Sequence, residues 1–305
     1  MSDPRDVVAA VDVGGTRVKA ALVARPMEVI AELTAPTPND IDKAFGAAVG
    51  ETVSRLVSTA TARVGPVRLA GCGIVVPGLV DEEAGVGRLS VNLRWRDLPI
   101  RDVVTARIGV PTAVGHDVRA GLLAEARAGA ARGVRNAVFI AIGTGIAGAL
   151  MLDGSIVSAD GWAGELGHVV VDEGGPLCPC GQRGCLETIS SAASVERTYA
   201  AEVGTPLSAE EIALRVAAGE AAAARVWARA VASLASAVVT TVTLTGVELV
   251  LLGGGLSQSA DILLTPLRNG VSGRLTWQRA PRIERAALGD RAGTLGAACM
   301  AWDAL

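Results

Sequence analysis

The sequence has almost no excess of charge of either sign: 28 Lys and Arg stand against 31 Asp and Glu, for a net charge of −3. The pI is near 5.6, and the basic residues are scattered rather than run together. That leaves no basic surface for nucleic acid and favours a small neutral or anionic metabolite as the partner. There is no GxxxxGK[ST] run, which excludes a P-loop. An apolar leader is missing too, because MSDPRDVVAA carries Asp3, Arg5 and Asp6 where a signal peptide needs a hydrophobic core; a cytoplasmic protein is expected. Residues 230–247 hold no charge, but Ser233, Ser236, Thr240, Thr241, Thr243 and Thr245 within them favour a buried helix running into a strand over a membrane span.

Histidine is scarce, at two residues, and cysteine is limited to five. Three of the cysteines crowd into Cys178, Cys180 and Cys185, a spacing that speaks for metal rather than for a secreted disulfide framework. His168, one of the two histidines, lies shortly before them. Three thiols and one imidazole complete a tetrahedral zinc set, and closed coordination of this kind is structural. Cys72 and Cys299 sit among small apolar residues and read as core. Glu165 and Glu187 flank the cluster, so a metal that fixes the loop also fixes two carboxylates suited to accept hydrogen bonds from sugar hydroxyls. If His168 binds zinc through one nitrogen, the other can be oriented toward a substrate oxygen or a neighbouring group.

Half of the 305 residues are hydrophobic, enough for about two domains. Residues 7–23 read as a strand, a tight Gly14-Gly15 hairpin and a second strand, with a third near 29–34. Residues 41–64 carry helical spacing. Strands at 69–76 and 111–115 and helices at 99–107 and 119–131 complete an α/β alternation. The run AVFIAIGTGIAGALM, from residue 137, overlays VVAAVDVGGTRVKAA with Gly143 on Gly14, which suggests two domains begun by the same unit. A long ordered loop spans 161–191; helices follow to about 245, then a strand at 247–252 and a closing helix from 292.

Glycines at 14 and 15 beside Thr16 let the backbone approach a phosphate, and Asp12 can orient Mg²⁺ through water. Gly143-Thr144-Gly145 and Gly253-Gly254-Gly255 likewise follow apolar strands, so three turns could converge on one nucleotide. Gly143, Gly145 and Gly148 also fit a dinucleotide GxGxxG fingerprint. That fingerprint needs a helix next, and Ala149 to Leu152 followed by Asp153-Gly154 is a strand and hairpin instead.

Taken in order, DVGGTR from 12, VPGLVD from 76, Asn92 with Trp95, His116-Asp117, GTGIAG from 143, GELGH from 164, CPCGQRGCLE from 178 and LLGGGLS from 251 resemble the ROK family, named for its repressors, open reading frames and kinases. The resemblance implies a two-domain actin-like ATPase (ribonuclease H-like) α/β fold with a central interdomain cleft and a zinc-braced loop. The domains would be 1–117, completed by a helix at 292–305, and 118–291. It implies an ATP-dependent sugar kinase with Asp117 as general base, and Gly78, Asn92, His116, Glu165, His168 and Glu187 lining the sugar pocket. Asp12, Gly14, Gly15, Thr16, Arg17, Lys19, Gly143, Thr144 and Gly145 would serve the ATP phosphates and Mg²⁺, and Gly253, Gly254 and Gly255 the adenosine. A homodimer, or a dimer of dimers, is implied as well.

Three residues depart from the family pattern. His116 stands where sugar kinases commonly have Asn, Arg17 where Lys is usual, and Ala147 where Gly is usual. Glucose phosphorylated at its 6-hydroxyl is the leading reaction; mannose, N-acetylmannosamine, N-acetylglucosamine and kanosamine stay open as acceptors, and polyphosphate as donor. A sugar-responsive repressor would need a helix-turn-helix domain for which the first strand, near Val7, leaves no room. A catalytically silent sugar-binding protein is the other alternative, against which Asp12 and Asp117 speak.

Overall fold

The computed structural model describes residues 3–305. The chain divides into two compact units. The first takes residues up to Ala128 with Ser158–Trp162 and Asp290–Leu305, and the second takes Gly129–Val157 with Ala163–Gly289. The division falls after Ala128 rather than after Asp117.

In the first unit, β1 (Arg5–Val13) pairs antiparallel with β2 (Arg17–Ala24), which pairs antiparallel with β3 (Glu28–Pro36). On its other side β1 runs parallel to β4 (Val67–Val76), and β4 parallel to β8 (Thr112–His116), giving the order β3-β2-β1-β4-β8. The sheet is covered on both faces. This is why Val7 to Val11 is a run of five fully buried apolar residues rather than an alternation. Helix α1 (Ile41–Val64) covers one face with Ile41, Phe45, Val49, Val53, Leu56 and Ala60, a stripe at helical spacing, and α2 (Ile100–Ile108) lies beside it. The other face packs Val8, Ala10, Ala21 and Val23 against Ala120 of α3 (Asp117–Ala128) and Ala297, Ala298 and Ala301 of α9 (Ala292–Asp303).

A small antiparallel sheet of β5 (Leu79–Asp81), β6 (Val86–Ser90) and β7 (Trp95–Leu98) was not anticipated from periodicity, because its strands are three to five residues long. Its anchor is the Trp95 ring, which meets Phe45 of α1 edge-on at 5.4 Å.

The second unit repeats the plan. β9 (Ala137–Ile142) pairs antiparallel with β10 (Ile146–Leu152), which pairs with β11 (Ser155–Ile156). β9 is parallel to β12 (Leu249–Gly253), and β12 to β13 (Arg282–Arg285), so the order is β11-β10-β9-β12-β13 with the same pairing senses as in the first sheet. The overlay of the two Gly-turn segments thus extends to whole-sheet topology.

Within the loop 161–191 lie a 3₁₀ turn, Leu166–His168, and the one-turn helix α4 (Glu187–Ser190). After it come α5 (Ala192–Val203), α6 (Ala209–Ala217), α7 (Ala221–Thr245) and α8 (Asp261–Ser272). Ser191 and Ser208 cap α5 and α6, the latter through a full capping box with Glu211. Helix α7 is long and apolar enough to cross a membrane by length and composition. Its Val226, Trp227, Val231, Leu234 and Val238 are buried in the core of the second unit.

Candidate active site

In the first unit the β1–β2 hairpin is closed by Gly14 N–H donating to Arg17 O at 2.9 Å. The end of β3 holds it from the side: Thr37 Oγ1 donates to Gly14 O at 2.6 Å, and Thr37 N–H to Thr16 O at 3.0 Å. A methyl on Gly15 would sit 3.5 Å from Asn92 Cβ, so the expected sugar residue Asn92 lies against the expected phosphate turn. Gly78 has φ +106°, and a Cβ there would come within 2.3 Å of Leu89 O. Glycine is required at this position by the backbone itself. Lys19, opposite Asp12 in the β1–β2 ladder, reaches Asp290 O at 3.1 Å. Arg17 and Lys19 line a hollow of about 480 Å³ together with Arg291.

Asp12 sits at the end of β1 against the first turn of α9, where a Cβ on Gly293 would lie 2.6 Å from its Oδ2. Burial raises its carboxyl to about 7; the charges of Asp117 and Asp290 add to the rise, and Lys19 opposes it. A carboxylate so desolvated and so close to another acid is one that a cation would relieve, which fits the expected Mg²⁺.

Asp117 opens α3 directly after β8, a placement that aims a side chain past the end of a parallel strand. Its Oδ1 accepts the Val118 N–H at 2.8 Å, and the same N–H reaches His116 Nδ1 at 3.3 Å. Nδ1 stands 3.4 Å from Asp117 Oδ1.

Two residues of this constellation were not found from the sequence. Arg119, 3% exposed, donates from Nε to Glu82 Oε1 at 2.8 Å, and Glu82 Oε1 also takes the His116 backbone N–H at 3.2 Å. The only sequence signal was a single charged residue, Arg119, within the otherwise apolar run from Val118 to Ala124 that follows Asp117.

In the second unit His168, Cys178, Cys180 and Cys185 come together, their ligand atoms all within 4.8 Å of one another. Cys180 Sγ to Cys185 Sγ is 3.6 Å and Cys178 Sγ to His168 Nδ1 is 3.7 Å. These two separations match the edge of about 3.7 Å that a tetrahedron with Zn–S bonds of about 2.3 Å has. The donor set and its spacing fit zinc. The other imidazole nitrogen, Nε2, faces Glu165 Oε2 at 3.9 Å. Glu187, two residues after Cys185, turns its carboxylate onto the second glycine hairpin, where Oε2 accepts the Ile146 N–H at 2.8 Å. Gly143 N–H donates to Gly145 O at 2.9 Å, and Gly143 O receives the Ala192 N–H at 2.9 Å. The third cluster joins the same corner: Gly254, at φ +78°, packs so tightly on the end of β9 that a Cβ would be 2.4 Å from Ile142 O.

Comparison with known proteins agrees with these motifs. The ROK family profile matches residues 8–304. The glucokinase of Thermotoga maritima is 32% identical over 97% of this chain and 97% of its own. The structure of a ROK hexokinase from Thermus thermophilus superimposes with a TM-score of 0.83 at 30% identity, covering 97% of this chain and 98% of that one. A ROK family glucokinase from Streptomyces griseus, solved with glucose and AMPPNP, gives a TM-score of 0.81 at 25% identity, covering 97% and 99%.

Proposed function

The chain belongs to the ROK family, and from that premise we propose that it is an ATP-dependent kinase that phosphorylates a hexose hydroxyl, with glucose at its 6-hydroxyl as the first candidate. Amino sugars such as N-acetylmannosamine, N-acetylglucosamine and kanosamine are the alternative acceptors. The reading is carried by one observation: Asp117 heads a helix at the end of a parallel strand, in the same unit as a Gly-Gly-Thr hairpin and an acidic Asp12. It is supported by near-complete coverage by a protein named as a glucokinase.

Phosphoryl transfer asks a protein chiefly for positioning, charge neutralisation and one acceptor for the hydroxyl proton. In this reading Asp117 takes that proton through the oxygen not held by Val118, as the sugar oxygen attacks the terminal phosphorus. Backbone N–H groups of the Gly14–Thr16 and Gly143–Gly145 turns hold phosphate oxygens, and Arg17 and Lys19 add positive charge nearby. Asp12 would hold Mg²⁺, which supplies charge neutralisation on the phosphates. Asn92, His116, Glu165, His168 and Glu187 orient sugar hydroxyls. His168, Cys178, Cys180 and Cys185 would hold zinc, which fixes the loop that bears Glu165 and Glu187.

The deciding experiment is a coupled ADP-release assay over a panel of hexoses and amino sugars, run on the wild type and on Asp117→Asn. Sugar-dependent ADP release should fall about 10²- to 10⁴-fold in the variant. Release without sugar dependence would remove the kinase reading, and equal rates in both proteins would remove the base assignment.

A further inference from the structure

Trp162 is 68% exposed in a chain that has only five tryptophans, two phenylalanines and one tyrosine. An indole left in water forgoes the burial that aromatic side chains ordinarily contribute. Yet the backbone that presents it is tightly held. Trp162 N–H donates to Ala159 O and Gly161 N–H to Ser158 O, both at 3.0 Å. Ala159, Asp160 and Gly161 all have positive φ, at 47°, 54° and 91°. Gly161 presses on β5 so closely that a Cβ would lie 2.5 Å from Val80 O.

The tie that matters runs through Arg119. Its Nη1 donates to Gly161 O at 3.3 Å while its Nε holds Glu82, and Glu82 in turn holds the His116 N–H. One guanidinium and one carboxylate therefore join the Trp162 segment to the residue that precedes Asp117. Trp277, at 80% exposed, provides the contrast: it lies in the loop after α8, beside Gln278, which bonds its N–H. Exposure alone does not distinguish the two indoles; connection to the site does.

We propose that Trp162 is a substrate-contacting residue of the acceptor site, its indole stacking on the flat C–H face of a pyranose. The inference rests on the sugar-kinase reading. It also narrows the substrate class. A pyranose with all its hydroxyls equatorial offers an uninterrupted C–H face on each side, whereas the axial hydroxyl of the 2- or 4-epimer obstructs the face that bears H2 and H4 and leaves the H1/H3/H5 face open, so an indole stacked on the H2/H4 face favours the gluco configuration over both epimers.

The test uses Trp162→Ala and Trp162→Phe in the full chain. In the Ala variant the glucose KM should rise about tenfold and the preference for glucose over mannose and galactose should shrink, with the ATP KM and the melting temperature unchanged; Phe should restore the glucose KM to within about twofold. A residue that only supports the fold would move the melting temperature and both KM values together. Acrylamide quenching, read as wild type minus Trp162→Phe, should show Trp162 shielded by glucose. Shielding without ADP release would end the kinase reading and keep the contact. An unchanged glucose KM in the Ala variant, or no shielding by any sugar of the panel, overturns the inference.

Discussion

The Glu187 carboxylate accepts the Ile146 backbone N–H at 2.8 Å, so a residue two positions after the last cysteine of the Cys/His cluster braces the second glycine hairpin. One side chain thereby serves two parts of the second unit, and its removal should be felt by both substrates. Glu187→Ala is expected to raise the KM for ATP and for sugar, each about 10- to 100-fold, the range for losing a hydrogen bond to a charged group. Glu165→Ala, whose carboxylate faces His168 instead, should raise the sugar KM alone. Steady-state kinetics with each substrate varied in turn separates the two cases.

Metal analysis of the purified protein should return about one zinc per chain. Cys180→Ser should lower both zinc content and melting temperature, and sugar-dependent turnover with them, because Glu165 and Glu187 lose their common support. Full zinc and full activity in that variant would remove the brace.

Asp12 makes stability depend on pH in a set direction. Its carboxyl is raised from 3.8 to about 7 in the folded state, so between those values the native state binds a proton that the unfolded state has released. Stability falls as pH rises through that window, by about 1–4 kcal/mol from this group. Asp12→Asn should therefore gain stability over the wild type as pH goes from about 5 to about 8 in urea titrations without divalent cations. Parallel curves for the two proteins would contradict this.

His116 stands beside Asp117, its Nδ1 3.4 Å from Asp117 Oδ1, and an imidazole there is bulkier than a carboxamide and gives one donor or acceptor per nitrogen, whereas a carboxamide gives two donors on one atom and an acceptor on the other. His116→Asn is expected to reorder the acceptor panel by kcat/KM while keeping turnover dependent on Asp117. An unchanged order would show that the imidazole does not take part in sugar selection.

Gly78→Ala should destabilise the first unit by about 1–3 kcal/mol, since it combines a left-handed backbone with a steric clash; the clash is with Leu89 O, 2.3 Å from the added carbon. A lowered urea midpoint with an unchanged slope is the expected signature.

What the sequence by itself determined is what short spans of chain settle. The two Gly-turn hairpins, the stripe of α1 and the gathering of His168 with three cysteines are legible because hairpin closure, helical periodicity and Cys-x-Cys spacing act within a few residues to a few turns. The likeness of the two opening hairpins was visible too, as one supersecondary unit written twice. The tertiary structure decided what depends on partners far apart in sequence. Glu82 and Arg119, 37 positions apart, meet only once β5 and α3 are assembled. Ser158–Trp162 returns to the first unit from between two stretches of the second. Strands as short as Leu79–Asp81 carry too few residues to show a period and exist only because neighbours pair with them. Long-range pairing leaves no local pattern, since its energy is gained only when loop closure has brought the partners together.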